Sequence, residues 1–156
     1  MPIDRFSDSV RVHASAPEIY THLLDPTSYI GLSPLVVAVR DVRPTRDAQG
    51  RDATAYVAVE RFRFGPFRWD NPIRVTLTGV TADRQLLSDV VSPGAVRLQA
   101  TVDLTPTDDG TEVTESVEVR SPALLRSFVL KQAGNVQRSR LAELAARFPR
   151  SPRLTR

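Results

Sequence analysis

SPALLRSFVLKQAGNVQRSRLAELAARF, Ser121 to Phe148, is the stretch whose reading decides the fold of this chain. Everything before it resolves into a short helical excursion and a series of strands. A sheet made from those strands needs its apolar face closed, and this helix is the only segment long enough to do so. Ser121 and Pro122 read as its start, with serine as N-cap and proline in the first turn. Wound at about 100° per residue, Leu125, Phe128, Val129 and Val136 cluster on one side, with Gln132 among them. Leu141, Leu144 and Phe148 fall roughly 100–150° further round. The stripe changes face near Gly134-Asn135. A mid-helix glycine costs about 1 kcal/mol relative to alanine, and here it offers a bend or a close backbone approach. The first half of the helix, with Phe128, Gln132 and Val136, is therefore expected to face a pocket. The second half is expected to pack on the sheet and the short helices.

Working outward, the segments upstream alternate with a period of two. Ile3–His13 places Phe6, Val10 and Val12 on one face. Ser15-Ala16-Pro17-Glu18 is a capping-box pattern opening a helix through Ile19, Tyr20, Leu23 and Leu24. That helix stops near Asp25-Pro26, and a second short helix is expected over roughly Thr27–Leu32 before Ser33-Pro34. Strands follow over Leu35–Arg43, Arg51–Phe64, Trp69–Thr81, Arg84–Val91, Ala95–Thr105 and Thr111–Arg120. They are separated by turn signals at Asp47-Ala48-Gln49-Gly50, Gly65-Pro66, Ser92-Pro93-Gly94 and Asp108-Asp109-Gly110. Consecutive hairpins make an antiparallel sheet with one wet face and one apolar face.

Composition narrows the function. The chain has 156 residues, no cysteine and two histidines, His13 and His22. That excludes disulfide scaffolds, thiolate metal sites and cysteine nucleophiles. No HExxH spacing, serine-nucleophile elbow or phosphate loop occurs, and nothing calls for a metal or a cofactor. Both histidines read as surface residues. No window approaches the ~20 apolar residues of a membrane span. The N-terminus has no apolar leader, so a cytoplasmic protein is expected. The net charge of +3 is local: from Arg138 onward six arginines face one acid, Glu143. That concentration reads as a solvated helix end followed by a basic flexible tail over 149–156. The arginines have no interleaved aromatics, so nucleic acid is not an expected partner.

The segment HASAPEIYTHLLDPTSYIGLSP, followed by six strands and a C-terminal helix, resembles the START-like, Bet v 1-like helix-grip superfamily (SRPBCC). Within it the chain is most similar to the bacterial polyketide cyclase/dehydrase and lipid-transport group. Ala16-Pro17-Glu18-Ile19-Tyr20, Asp25-Pro26, Leu104-Thr105-Pro106 and Gly110-Thr111-Glu112-Val113 carry the likeness. The resemblance implies an α+β helix-grip domain over 1–148, with a curved seven-stranded antiparallel sheet wrapped around the C-terminal helix. It also implies an apolar cavity between them for a small or lipid-like molecule. Fold does not settle function here, and no catalytic motif of the family maps onto this chain.

Candidate site residues follow from parity. Glu115 shares the inner face with Val113, Val117 and Val119. A carboxylate there is a candidate acid or base unless a cation sits beside it. Trp69 and Asn71 share parity with Ile73 and Val75, giving a pocket a flat wall and a hydrogen-bonding group. The 51–64 strand offers two faces, and the one with Tyr56, Glu60 and Phe62 is expected inward. Phe64-Gly65-Pro66-Phe67 then forms a lip. Three functions are open: a binder of a small hydrophobic ligand, a cyclase or dehydratase using Glu115 with Glu60 or Tyr56, and an adaptor acting through the basic tail.

Overall fold

A computed structural model describes residues 2–150. The alternating segments become β1 (Ile3–Val12), β2 (Val36–Arg46), β3 (Asp52–Phe64), β4 (Phe67–Thr81), β5 (Gln85–Ser92), β6 (Val96–Thr107) and β7 (Gly110–Arg120). Helix α1 (Ala16–Leu24) and a 3-10 turn at Pro26–Tyr29 separate β1 from β2, and α2 (Arg126–Arg147) closes the fold. The strands form one seven-stranded antiparallel sheet in the order β1-β7-β6-β5-β4-β3-β2. Hairpin succession fixes most of that order. The exception is β1, which pairs with the last strand and so wraps the sheet past α2.

The period-two reading holds most clearly in β7, where Thr111, Val113, Glu115, Val117 and Val119 are buried and every intervening residue is more exposed. The fully packed core occupies one end of the molecule. Ile19 and Leu23 of α1, Leu32, Leu77, Leu104, Val113, Leu141 and Leu144 meet there, each aliphatic side chain contributing roughly 1.5–3 kcal/mol on burial. Helix α1 begins at the expected serine cap, with Ser15 Oγ accepting the Glu18 N–H at 3.3 Å, but the Glu18 side chain does not return the bond to the Ser15 amide, so only half of the capping box forms. The helix lies close to β4: a Cβ on Gly79 would stand 2.1 Å from the Tyr20 hydroxyl oxygen. A side chain at that point would push the Tyr20 ring away from the sheet.

Several expectations need correction. Helix α2 begins at Arg126, after a 3-10 turn at Ala123–Leu125, and Ser121 does not cap it. Pro122 is extended, with ψ 145°, so Ser121-Pro122 ends the strand and turns the chain, and the Ser121 hydroxyl is buried without a partner. The second short helix is a four-residue 3-10 turn, Pro26–Tyr29, capped by Asp25, whose carboxylate accepts from the Thr27 amide and hydroxyl at 3.0 and 2.8 Å. Strand β2 does not stop at Pro44 but runs to Arg46, Pro44 pairing with Thr54. Because β2 is an edge strand, the missing N–H costs no ladder bond. Gly134 provides no close approach: a Cβ there would make only an ordinary contact with Arg138, and α2 continues through it.

The division of α2 appears in burial. Its three buried residues, Gln137, Leu141 and Leu144, all lie after Gly134. The basic helix end is not simply solvated. Arg147 donates to the carbonyls of Ser28 and Ile30, to Glu143 and toward His22, and His22 also meets the Phe148 ring edge-on at 5.5 Å. His22 is accordingly half-buried, not a surface residue. Pro149 and Arg150 are exposed, and the rest of the expected tail lies outside the described residues.

Candidate functional site

Sheet and helix separate toward the other end of the molecule and leave a cavity of about 510 Å³ between them. Strands β3 to β7 supply its curved wall through every second residue, and α2 supplies the facing wall. Tyr56, Glu60, Phe62, Trp69, Asn71, Glu115, Phe128, Gln132 and Val136 all line it. The aromatic face of β3 is thus the inward one, since the Tyr56↔Val75, Glu60↔Asn71 and Phe62↔Trp69 pairs stack side by side on the concave face of the β3–β4 ladder.

Trp69, Pro93, Gly94, Leu125 and Phe128 line the cavity yet remain exposed, and so they form its mouth. Trp69 is 51% exposed, and its ring stacks on Phe62 at 5.4 Å. Inward parity holds for Asn71, Ile73 and Val75, but β4 runs beyond the body of the domain at Trp69, which makes the tryptophan a rim rather than an inner wall. The Phe64-Gly65-Pro66-Phe67 tip stands outside that rim, with Phe64 and Phe67 largely exposed.

Two polar centres interrupt the apolar lining. The first lies at the deep end. Glu115, 3% exposed, receives both arms of the Arg140 guanidinium: Nε reaches Oε2 at 3.0 Å and Nη2 bonds to Oε1. Arg140 also donates to Ser33 Oγ at 3.2 Å, and Gln137 donates to the Glu115 backbone carbonyl at 3.0 Å. Burial works against the Arg140 charge, but the Glu115 carboxylate outweighs it and pushes the arginine pKa up. Tyr29 and Tyr56 stack nearby at 6.4 Å, with both phenols pushed above their ordinary range by burial.

The second centre lies one cross-strand pair inward from the Phe62–Trp69 stack. Asn71 Nδ2 donates to Glu60 Oε1 at 3.4 Å and to Ser92 Oγ at 3.2 Å. Burial pushes the Glu60 pKa up, opposed by the Asn71 hydrogen bond and the Arg140 charge.

Sequence parity brought the strand residues to the site but missed Arg140, Ser92, Tyr29 and Ala133. Arg140 had a legible signal, because it follows Gln132 and Val136 at the same four-residue step and so continues their stripe. Its charge instead reads as part of the basic helix end. A second depression of about 680 Å³, lined by His13, Asp83, Arg84 and Asp109 among others, lies at the opposite end of the sheet. Those side chains are exposed or only half-buried, and it is a surface groove between turns.

This architecture, a sheet gripping a long helix around an open-mouthed cavity, defines a START-like helix-grip domain. The model of the polyketide cyclase / dehydrase and lipid transport family matches residues 4–149, and the chain belongs to that family. No curated protein matches it in sequence. Among solved structures it is similar to a START superfamily protein from Mycobacterium smegmatis, at 16% identity and TM-score 0.72 over 92% of this chain and 96% of that one. It is likewise similar to the Zhui aromatase/cyclase from Streptomyces sp. R1128, at 13% identity and TM-score 0.73 over 94% and 93% of the two chains. The di-domain ARO/CYC BexL from the BE-7585A biosynthetic pathway matches at 14% identity and TM-score 0.65. There this chain, covered over 96% of its length, spans 51% of its relative. At these identities the likeness is one of fold.

Proposed function

We propose that this protein binds a small hydrophobic molecule, polyketide- or lipid-like, in the cavity between sheet and α2. The observation that carries this reading is the cavity itself: about 510 Å³ of largely apolar-walled space with an aromatic rim. At roughly 24 cal/mol per Å³, a dry closed void of that size would forfeit on the order of 10 kcal/mol, comparable to the whole stability of a domain. A fold that keeps such space open to solvent gains from an occupant. The volume also falls within the usual range for small-molecule sites, roughly 300–1,000 Å³. No helix among the described residues is long and apolar enough to cross a membrane, and we place the protein in the cytoplasm, as a single domain over 1–148.

A second reading, an enzyme of the cyclase or dehydratase type, has support at Glu60. This carboxyl lines the cavity, is held protonated to higher pH by burial, and is bonded to Asn71 rather than to a cation. Glu115, by contrast, is committed to Arg140. In an enzyme, Glu60 would move the proton and Glu115 would hold the wall. An adaptor function has less to rest on, since Arg140 and Arg147 are engaged inside the fold.

Native mass spectrometry of the protein as purified tests the binding reading. A small-molecule adduct released on denaturation supports it. Protein that is empty and takes up no added apolar probe refutes it. With a turnover assay in hand, Glu60→Gln separates the two readings: turnover is lost in the enzyme, while binding persists in both.

A further inference from the structure

We propose that the cavity is built for an uncharged, largely apolar molecule carrying one hydroxyl (an alcohol, phenol or enol) whose O–H donates to Asn71 Oδ1. This rests on reading the cavity as a ligand site, and it names the chemistry of the occupant.

One acceptor in the cavity wall is unmet. Asn71 is 4% exposed, lines the cavity, and its Oδ1 is buried with no partner. Its neighbours cannot supply one. Both protons of Nδ2 are spent, on Glu60 and on Ser92. The Ser92 hydroxyl accepts from Asn71 and is itself directed to the Pro93 carbonyl at 3.4 Å. A buried acceptor left unpaired costs roughly 1–3 kcal/mol; the oxygen lies just beneath the cavity surface, and a ligand hydroxyl that draws it to that surface by a small turn of the side chain gains what an all-hydrocarbon ligand does not.

The charge of the wall excludes ionic ligands. Apart from two tyrosines, the ionisable residues lining the cavity are Glu60, Glu115 and Arg140. Arg140 is the sole cation among them and is already held by Glu115. Among the described residues a fatty acid or other carboxylate would find no free cation in the cavity wall. At the Asn71 centre it would meet the acceptor Asn71 Oδ1 and the Glu60 carboxyl, whose ionised form repels it. A hydroxyl suits the site because it is neutral and donates. The Phe62–Trp69 stack, one cross-strand pair nearer the mouth, gives the rest of such a molecule a flat apolar surface.

Three matched probes test the inference: 4-butylphenol, butylbenzene and 4-butylbenzoate, titrated by calorimetry into the whole protein. The phenol should bind about tenfold or more tighter than butylbenzene, the factor expected when one buried acceptor is satisfied, and the benzoate weakest. Asn71→Leu should bring phenol and hydrocarbon to within about twofold, and retained butylbenzene binding shows that the variant is folded. In the wild-type protein the Asn71 side-chain amide resonances should shift with the phenol and not with butylbenzene, which needs no variant. Equal affinity for phenol and hydrocarbon, or tightest binding of the benzoate, would overturn the inference while leaving the cavity a binding site. Failure of the wild type to bind any probe would overturn both.

Discussion

Arg140 of α2 closes on the Glu115 carboxylate of β7 through two nitrogens, 25 residues away in sequence and at the deep end of the cavity. The pair joins the gripping helix to the sheet at the point where the packed core gives way to open space. The carboxylate is nearly fully buried, whereas the Arg140 side chain keeps 21% of its surface. Removing one partner leaves the other charge in a low-dielectric wall, which typically costs about 3–5 kcal/mol. We predict that Arg140→Ala and Glu115→Leu each lower the free energy of unfolding in urea by about that amount. The double replacement Glu115→Leu/Arg140→Met should recover most of the loss, because it removes both charges together.

Glu60 predicts a pH dependence of opposite sign to the usual carboxylate. Its pKa in the fold lies above the ordinary 4.5 because of burial. The folded state therefore holds the proton more tightly than the unfolded chain. Stability from this group is full below pH 4.5 and is lost as pH rises through the folded value. Melting temperatures of wild type and Glu60→Gln, compared from pH 4 to pH 8, should diverge as pH rises, with the glutamine variant gaining. Parallel curves would show that Glu60 titrates as it does in the unfolded chain.

Arg147 is half-buried and tied to the turn after α1 rather than free for a partner. Its guanidinium satisfies the Ser28 and Ile30 carbonyls and meets His22. We predict that Arg147→Ala destabilises the fold by about 1–3 kcal/mol, the cost of leaving such acceptors unmet. Arg147→Lys should rescue little of it, since an ammonium lacks the planar fork that reaches several acceptors at once. Urea midpoints of the three proteins measure this directly.

The strands, their hairpin succession and the inward faces of β6 and β7 were legible because alternation and turn signals are local, visible in runs such as Val113, Val117 and Val119; the pairing of β1 with β7 is long-range and was not. The inward face of β3 was less so: both of its faces carry apolar residues, and only pairing with β4 puts Tyr56 beside Val75. Ser121-Pro122 misled because the same dipeptide serves a helix start and a strand exit. The ψ of Pro122 decides between them, and local sequence does not fix it. Arg140 was hidden for a different reason. Its role depends on how α2 is rotated against β7, a long-range relation, so from sequence alone its charge reads as surface although Glu115 lies beside it. The Asn71 centre was half legible. Parity put Asn71 inside, but Ser92, at the end of another strand, joins it only through the β4–β5 pairing.

If the space between sheet and α2 receives an apolar molecule, filling it must weaken binding. Ala133 lines that space from the helix side without belonging to the packed core, so Ala133→Trp should fill it and spare the fold. Titration of both proteins with the neutral dye Nile red tests this most directly. We predict saturable one-to-one binding to the wild type, at least about tenfold weaker binding to Ala133→Trp, a loss of roughly 1.4 kcal/mol, and no fall in the urea midpoint. Equal affinity in the two proteins, or no saturable binding to the wild type, would contradict it.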